Sequence, residues 1–524
     1  MAQSATLGLS ASRTCIDQEA DPIFWLGRRS PVDQPLDSSA INPNATDVPP
    51  SPPSPTVDEG SVEGVGPRLI DGPIGVTLVR LAVPMAVGIA ALMLFQLVDT
   101  FYVGMLGSSE LAAMGFAMPV TLFVMHVALG LGVGATAVVS RAIGAGDRGR
   151  VRRLTTDTLV LANVIVVVVA LSGVLSLRSL FSLLGAPPAI VDLVAGYMVP
   201  WYLGVGLLVI PMVGNSAIRA AGDTKSPMVI MVVAGVANAV LDPLLIFGLG
   251  PFPRLELTGA ALATVISWAS AFVMTSWVLV RREKMVTFEL PRASDVLRSW
   301  RAVLHVGGPS TVTQLMQPLG AGAITRLVAE FGPDAVAGYA VGARIDALAL
   351  VGVFALSAVS SPFVGQNLGA GRTDRIAAGL RFLVLACLGW GIAMLVLLLG
   401  FSAPISRAFS AEPSVLEAST TYLRVLPLSY GLLGIATVVG SVLNPLGRPF
   451  LSTGLAAFRF GLGLTGAFIG MSLGGLTGMF VGLATGFGVS GAVAWVVIAP
   501  LAYGRASRDD TLMPDARCPE TFAE

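Results

Sequence analysis

Charge is scarce in this sequence. Asp, Glu, Lys and Arg make up 12% of the 524 residues, against about 25% in an ordinary soluble domain. With 54% of residues hydrophobic, too little polar material remains to cover a water-soluble core. That argues against a soluble globular enzyme. An excess of either sign of charge is also missing, with 32 basic and 32 acidic residues, which argues against a nucleic-acid binder with a basic surface. Histidine and cysteine are nearly absent. His126 and His305 stand alone, and Cys15, Cys387 and Cys518 are far apart, so there is no metal-ligand spacing and no disulfide framework. The cysteines read as unpaired thiols. No P-loop is present, so no ATP drive is encoded and no cofactor is expected. No nucleophile–base pair appears either, so the chain is not read as an enzyme.

What is present is a series of apolar runs. From about residue 72 there are twelve, at roughly 75–100, 109–139, 154–176, 188–213, 226–248, 257–280, 302–327, 335–364, 378–401, 413–442, 449–471 and 476–503. Each is long enough to cross ~30 Å of hydrocarbon as a helix, and none alternates as a β-barrel strand does. Residues 1–67 differ: nine acidic residues face three basic ones, Pro and Ser are frequent, and no apolar periodicity is present. This segment is expected to be a disordered, acidic, cytoplasmic tail. The connections between runs carry a charge pattern. Arg141, Arg148, Arg150, Arg152, Arg153, Arg219, Lys225, Arg281, Arg282, Lys284, Arg292, Arg298, Arg301, Arg372, Arg375, Arg381 and Arg448 fall on one side, and only Arg178, Arg254, Arg326 and Arg407 on the other. The basic side is expected to be cytoplasmic. An even number of spans then places both termini there.

The chain also repeats itself. At an offset of 225, Pro84 meets Pro309, Gly107 meets Gly332, Gly144-Ala145-Gly146 meets Gly369-Ala370-Gly371, Tyr197 meets Tyr422 and Gly222 meets Gly447. Later, Leu257-Thr258-Gly259 meets Leu476-Thr477-Gly478 at an offset of 219. The expected fold is an all-α membrane protein of twelve transmembrane helices. They form two six-helix bundles related by a pseudo-two-fold axis along the membrane normal, as in transporters built from parallel repeats. The lobes are placed at 68–285 and 301–505, with a basic linker over 286–300 and a second cytoplasmic tail over 506–524.

Ionisable groups inside membrane helices cost ~2.5–3.5 kcal/mol each on insertion scales, so those that remain are functional candidates. In the first lobe, Asp99 ends the run MLFQLVDT, and Asp242 follows Asn238 by one helical turn on the same face. Counting ~1.5 Å per residue from Ser226 puts Asp242 roughly 24 Å up helix 5, and counting from Leu257 puts Thr264 roughly 10 Å into helix 6. All four residues can share one layer. Two carboxylates with amide and hydroxyl oxygens suit a hard cation, and mutual repulsion would equally let one carboxyl carry a proton. The choice between Na⁺ and H⁺ stays open. A helix-capping role for Asp99 is the plain alternative.

Several segments here, VDTFYVGMLGSSELAAMGFAMP (98–119), GAGD (144–147), RAAGDTKSPM (219–228), NAVLDP (238–243) and GAALAT (259–264), resemble the MATE family of multidrug and toxic compound extrusion transporters. The resemblance spans residues 72 to 503. It implies a cation-coupled exporter of amphipathic, often cationic, small molecules in a prokaryotic inner membrane, exchanging them for H⁺ or Na⁺. It also implies a first-lobe coupling site at Asp99, Asn238, Asp242 and Thr264 that reshapes helix 1, for which Pro84 is a natural hinge. The partners are the bilayer and small amphipathic substrates, with no nucleic acid, and the chain is read as a monomer. A lipid or lipid-oligosaccharide flippase of the same superfamily is the alternative.

The second lobe departs from the first. Asp99 maps to Ile324 and Asn238 to Gly463, so the carboxylate site is not duplicated. Instead the lobe carries Gln314, Gln317, Arg344, Asp346, Arg424 and Arg459 within its helices. A structural ion pair of Asp346 with Arg424 is expected there, with a cavity lining that influences substrate charge as the other reading. Glycines at 478, 482 and 486 would give helix 12 a flat face for close packing.

Overall fold

In lipid, a long apolar run satisfies its backbone polar groups only as a helix or within a closed barrel. Helix is what forms here. The computed structural model describes residues 69–289 and 291–503, and the tails read over 1–67 and 506–524, with Cys15 and Cys518, lie outside the described residues. The described residues contain no strand. In the first lobe, α1 (Ile74–Gly104), α2 (Ser108–Gly144), α3 (Arg148–Leu183), α4 (Pro188–Ala220), α5 (Lys225–Phe247) and α6 (Glu256–Trp277) are one span each. In the second lobe, α7 (Ala293–Val328) and α10 (Thr373–Arg407) are single spans.

The other four spans of the second lobe are interrupted or fused. One consists of α8 (Pro333–Ala349) and α9 (Val351–Gly369), meeting at Leu350. Another consists of α11 (Pro413–Val425) and α12 (Tyr430–Leu443), joined by a 3-10 turn over Leu426–Ser429 that holds Pro427. The last two spans run together as α13 (Pro449–Ala502), which breaks at Gly474 and Gly475, where φ is +59°. Among the described residues ten helical stretches are long and apolar enough to cross a membrane, with α11 and α12 taken together as one. The helices outrun the apolar segments that announced them. In particular, α7 begins at Ala293, inside the stretch read as linker, because its first turns carry charge outside any hydrocarbon. Large apolar side chains such as Leu175, Leu183, Leu203 and Leu473 are exposed, which suits lipid as the surrounding solvent.

The turns carry the repeat. Gly146 and Gly371 both hold a positive φ after a helix (+76° and +69°), as do Gly222 and Gly447 (+93° and +79°). Each pair is separated by the 225-residue offset. A reciprocal contact then shows the two-fold relation directly. A Cβ on Gly144 of α2 would fall on the carbonyl of Gln366 in α9, and a Cβ on its mate Gly369 would fall on the carbonyl of Arg141, the mate of Gln366. Only a two-fold exchange produces that pattern.

Around this axis the lobes close at the end that carries the arginine-rich connections. Gly130 of α2 packs on Thr311 of α7, and Gly134 packs on Gly307. The buried side chain of Gln366 accepts from Leu69 N–H (2.9 Å) and donates to the Ala220 carbonyl (2.7 Å), so it joins α9 to both the entry and the fourth helix of the first lobe. Arg375 donates to the carbonyls of Gly72 and Asp71. The lower part of α1 shares its core with the second lobe: Leu78 and Met85 pack with Phe363, Val439 and Ile498.

The glycine face expected on the last span is used as anticipated. Gly478 meets Gly470, and Gly482 meets Gly466, so the two arms of α13 touch backbone to backbone. Gly482→Val puts a branched side chain onto the Gly466 carbonyl. Overpacking of ~1–3 kcal/mol should lower Tm by roughly 1–3 °C in thermal denaturation of the purified protein. Gly461→Ala, on the same helix with open space at its Cβ position, should leave Tm unchanged or slightly raised.

Candidate cation-coupling site and second-lobe cavity

Helix α5 presents Asn238 and Asp242 one turn apart, and the Asn238 amide Nδ2 donates to Asp242 Oδ1 at 3.2 Å. Asp242 is 0% exposed. Pro243 follows it and has no N–H for the Ala239 carbonyl, which loosens the helix at this point. Helix α1 reaches the same place because Gly235 has no side chain: the Phe95 ring lies directly on the α5 backbone there. One turn further along α1, Asp99 faces Asp242 within hydrogen-bonding range. Both groups are acceptors when ionised, so neither satisfies the other. Asp99 Oδ1 and Asp242 Oδ2 are buried and have no donor. Such orphaned oxygens fit a shared proton or a bound hard cation.

The structure therefore brings Asp99, Asn238 and Asp242 together. Thr264 sits on the neighbouring α6, but its hydroxyl donates to the Ala260 carbonyl at 3.0 Å, so no hydrogen bond joins it to the carboxylates. The sequence reading missed Tyr197. It is buried on α4 within electrostatic range of both Asp99 and Asp242, and its match with Tyr422 across the repeat was the available signal. Pro84 lies within an unbroken α1. It marks a change of partners: Leu81 and Met85 pack with the second lobe, whereas Gly88 and Phe95 pack on α5. The Arg80 carbonyl lacks its helical donor there.

In the second lobe the expected ion pair of Asp346 with Arg424 does not form. Arg424 Nε donates to Ser402 Oγ at 3.1 Å, and its side chain turns to a groove with Arg407 and Glu417. Asp346 faces Tyr430, with Tyr339 and Tyr422 close by, and its Oδ1 has no donor. The cause is rotation along α11. Tyr422 packs its ring on Gly342 and Tyr339, and Arg424, two residues on, must point away. Arg344 is exposed on α8. Gln314, Gln317 and Arg459 do come together, around a cavity of about 130 Å³ that Thr313, Thr437 and Asn444 also line. Among the described residues no group of three or more His, Cys, Asp and Glu side chains is placed to hold a metal ion.

Comparison with known proteins shows what the chain as a whole is similar to. The family model described as MatE matches residues 84–244 and again 309–469, two stretches set apart by the repeat offset at both ends. Over 387 residues the chain is 37% identical to a protein of Shewanella oneidensis named FAD transporter, covering 73% of this chain and 85% of that one. It is 27% identical over 416 residues to a Thermotoga maritima protein named probable multidrug resistance protein NorM (75% and 88% covered). Among solved structures, the Vibrio cholerae MATE transporter VcmN in its bent form is similar with a TM-score of 0.78 at 31% identity, over 83% of this chain and 98% of that chain. A MOP superfamily transporter from Pyrococcus furiosus, whose reversed binding-pocket polarity is said to suggest a different function, gives 0.75 at 25% identity over 83% and 98%.

Proposed function

The chain belongs to the MATE family of membrane transporters, and from that premise we propose that it is a secondary antiporter: H⁺ or Na⁺ entering at Asp99 and Asp242 drives export of amphipathic organic molecules. It is a transporter and not an enzyme. One observation carries the coupling reading. Two carboxylates face each other at membrane depth, with Asn238 as the one donor bonded to them among the described residues and an unsatisfied oxygen on each. Ion entry would neutralise that pair, and ion release would restore the repulsion. Because α1 changes partners near Pro84, a shift at Asp99 has a lever on the contact between the lobes. The arginine-rich connections support an orientation with both termini in the cytoplasm of a prokaryotic cell, and we read the protein as a monomer that carries the whole site.

The names of the relatives bear on cargo. FAD and multidrug substrates share a large aromatic surface with a polar or charged part, so the cargo class is an amphipathic aromatic molecule. Reconstituted proteoliposomes test the reading. With a pH gradient and a Na⁺ gradient imposed separately, one of the two should drive concentrative movement of a fluorescent amphipathic dye. Movement under neither gradient overturns the antiporter reading, and the gradient that works identifies the ion.

A further inference from the structure

Arg459 is a cation within a membrane helix that has no anionic partner among the described residues. It lies ten residues into α13, ~15 Å from the arginine-rich end at 1.5 Å per residue. Its Nη1 donates to Thr437 Oγ1 at 3.2 Å, and its guanidinium lies 5.0 Å from the centre of the Phe460 ring. No carboxylate among the described residues pairs with it. A guanidinium carries five N–H donors in a planar fork, and the hydrogen bond to Thr437 uses one. At the matching position of the first lobe stands Ala234, so the charge belongs to this lobe alone.

The surroundings select a sign. The cavity that Arg459 faces is lined by neutral amides and hydroxyls, among them Gln314, Gln317, Thr313 and Asn444, and by no acidic side chain. A cationic group entering it would meet Arg459 with nothing to offset the repulsion. Val133 of α2 lines the same cavity, so it lies at the seam between the lobes, on the route that alternating access would open. At about 130 Å³ it is smaller than the ~300–1,000 Å³ of pockets that enclose a drug-sized ligand, so it suits a head group and not a whole molecule.

We propose that this cavity is the seat of an oxyanion, a phosphate or carboxylate, carried by the exported molecule, with the Arg459 fork as its anchor. The cargo would then be an aromatic molecule bearing an anionic group. This rests on the export reading above and narrows its substrate class. The polar division of labour follows: carboxylates in the first lobe serve the ion, and the arginine of the second lobe serves the cargo.

FMN and riboflavin test this, because they share one ring system and differ by a phosphate. Equilibrium binding to the purified full chain, read by flavin fluorescence, should favour FMN by roughly 10–100-fold, the range for a charge-assisted hydrogen bond. Arg459→Met should abolish that preference while riboflavin binding stays the same. Removing an unpaired intramembrane charge favours insertion of this variant, and Arg459→Gln serves equally should it fail to fold. Equal binding of the two flavins by the wild type, or a preference kept in the folded variants, overturns the proposal. Binding needs no ion gradient, so this outcome is independent of whether a gradient drives transport in proteoliposomes.

Discussion

Asp242→Asn should reduce ion-driven efflux to the level of vesicles without the protein, with expression, insertion and Tm maintained. The substitution is nearly isosteric. The new amide oxygen still accepts from Asn238, which now donates to Asp242 Oδ1 at 3.2 Å. The new amide NH₂ can donate to Asp99 Oδ1, an oxygen that otherwise has no donor. The local packing is therefore retained, and the pair can no longer hold two charges that repel each other. Insertion scales put ~2.5–3.5 kcal/mol on each charged residue near a helix centre, so losing one does not hinder assembly. What disappears is the change in charge that lets an ion gradient act on α1. Uptake of external dye into inside-out vesicles, where export runs toward the lumen, energised by the working gradient provides the measurement, with thermal denaturation of the purified variant as the fold control. Efflux at the wild-type level in this variant would remove Asp242 from the coupling site, whatever the ion.

How far the sequence foretold this structure varies with the physics involved. Membrane spans were legible because each lasts twenty or more apolar residues, a signal that survives errors of several positions. The repeat was legible because turn glycines such as Gly146 and Gly371 answer to a backbone requirement that composition does not blur. The breaks at Leu350 and at Leu426–Ser429 were not, since an apolar run looks the same whether its helix is straight or interrupted. The pairing of Asn238 with Asp242 followed from helical spacing within one element. Asp346 and Arg424 lie on different helices, and their relation depended on the rotation of α11, which the seating of Tyr422 on Gly342 decides. The meeting of Asp99 with Asp242 stood between these cases. The residues were evident, but the contact rests on Phe95 fitting where Gly235 has no side chain.

Gly144→Ala and Gly369→Ala should each shift the protein toward a state open at its arginine-rich end. A methyl at position 144 would fall on the Gln366 carbonyl, and one at 369 on the Arg141 carbonyl. Both obstacles are backbone, so no side-chain rotation relieves them, and α2 and α9 must separate. The same movement pulls on the Gln366 side chain, which bridges Leu69 and Ala220. An overpacking cost of ~1–3 kcal/mol arises only while this end is closed, which corresponds to a change of ~5–150-fold in the balance between the two faces. Ser361, one turn from Gly365 on the same face of α9, is buried here. In a background with Cys15, Cys387 and Cys518 replaced by Ser, Ser361→Cys should react with an impermeant thiol reagent faster by that factor when either alanine is present. Transport should fall as labelling rises, because an exporter that rests in one state must leave it on every cycle, whereas equilibrium binding of cargo should survive. Unchanged labelling would mean that the close approach of these two helices does not hold the arginine-rich end shut.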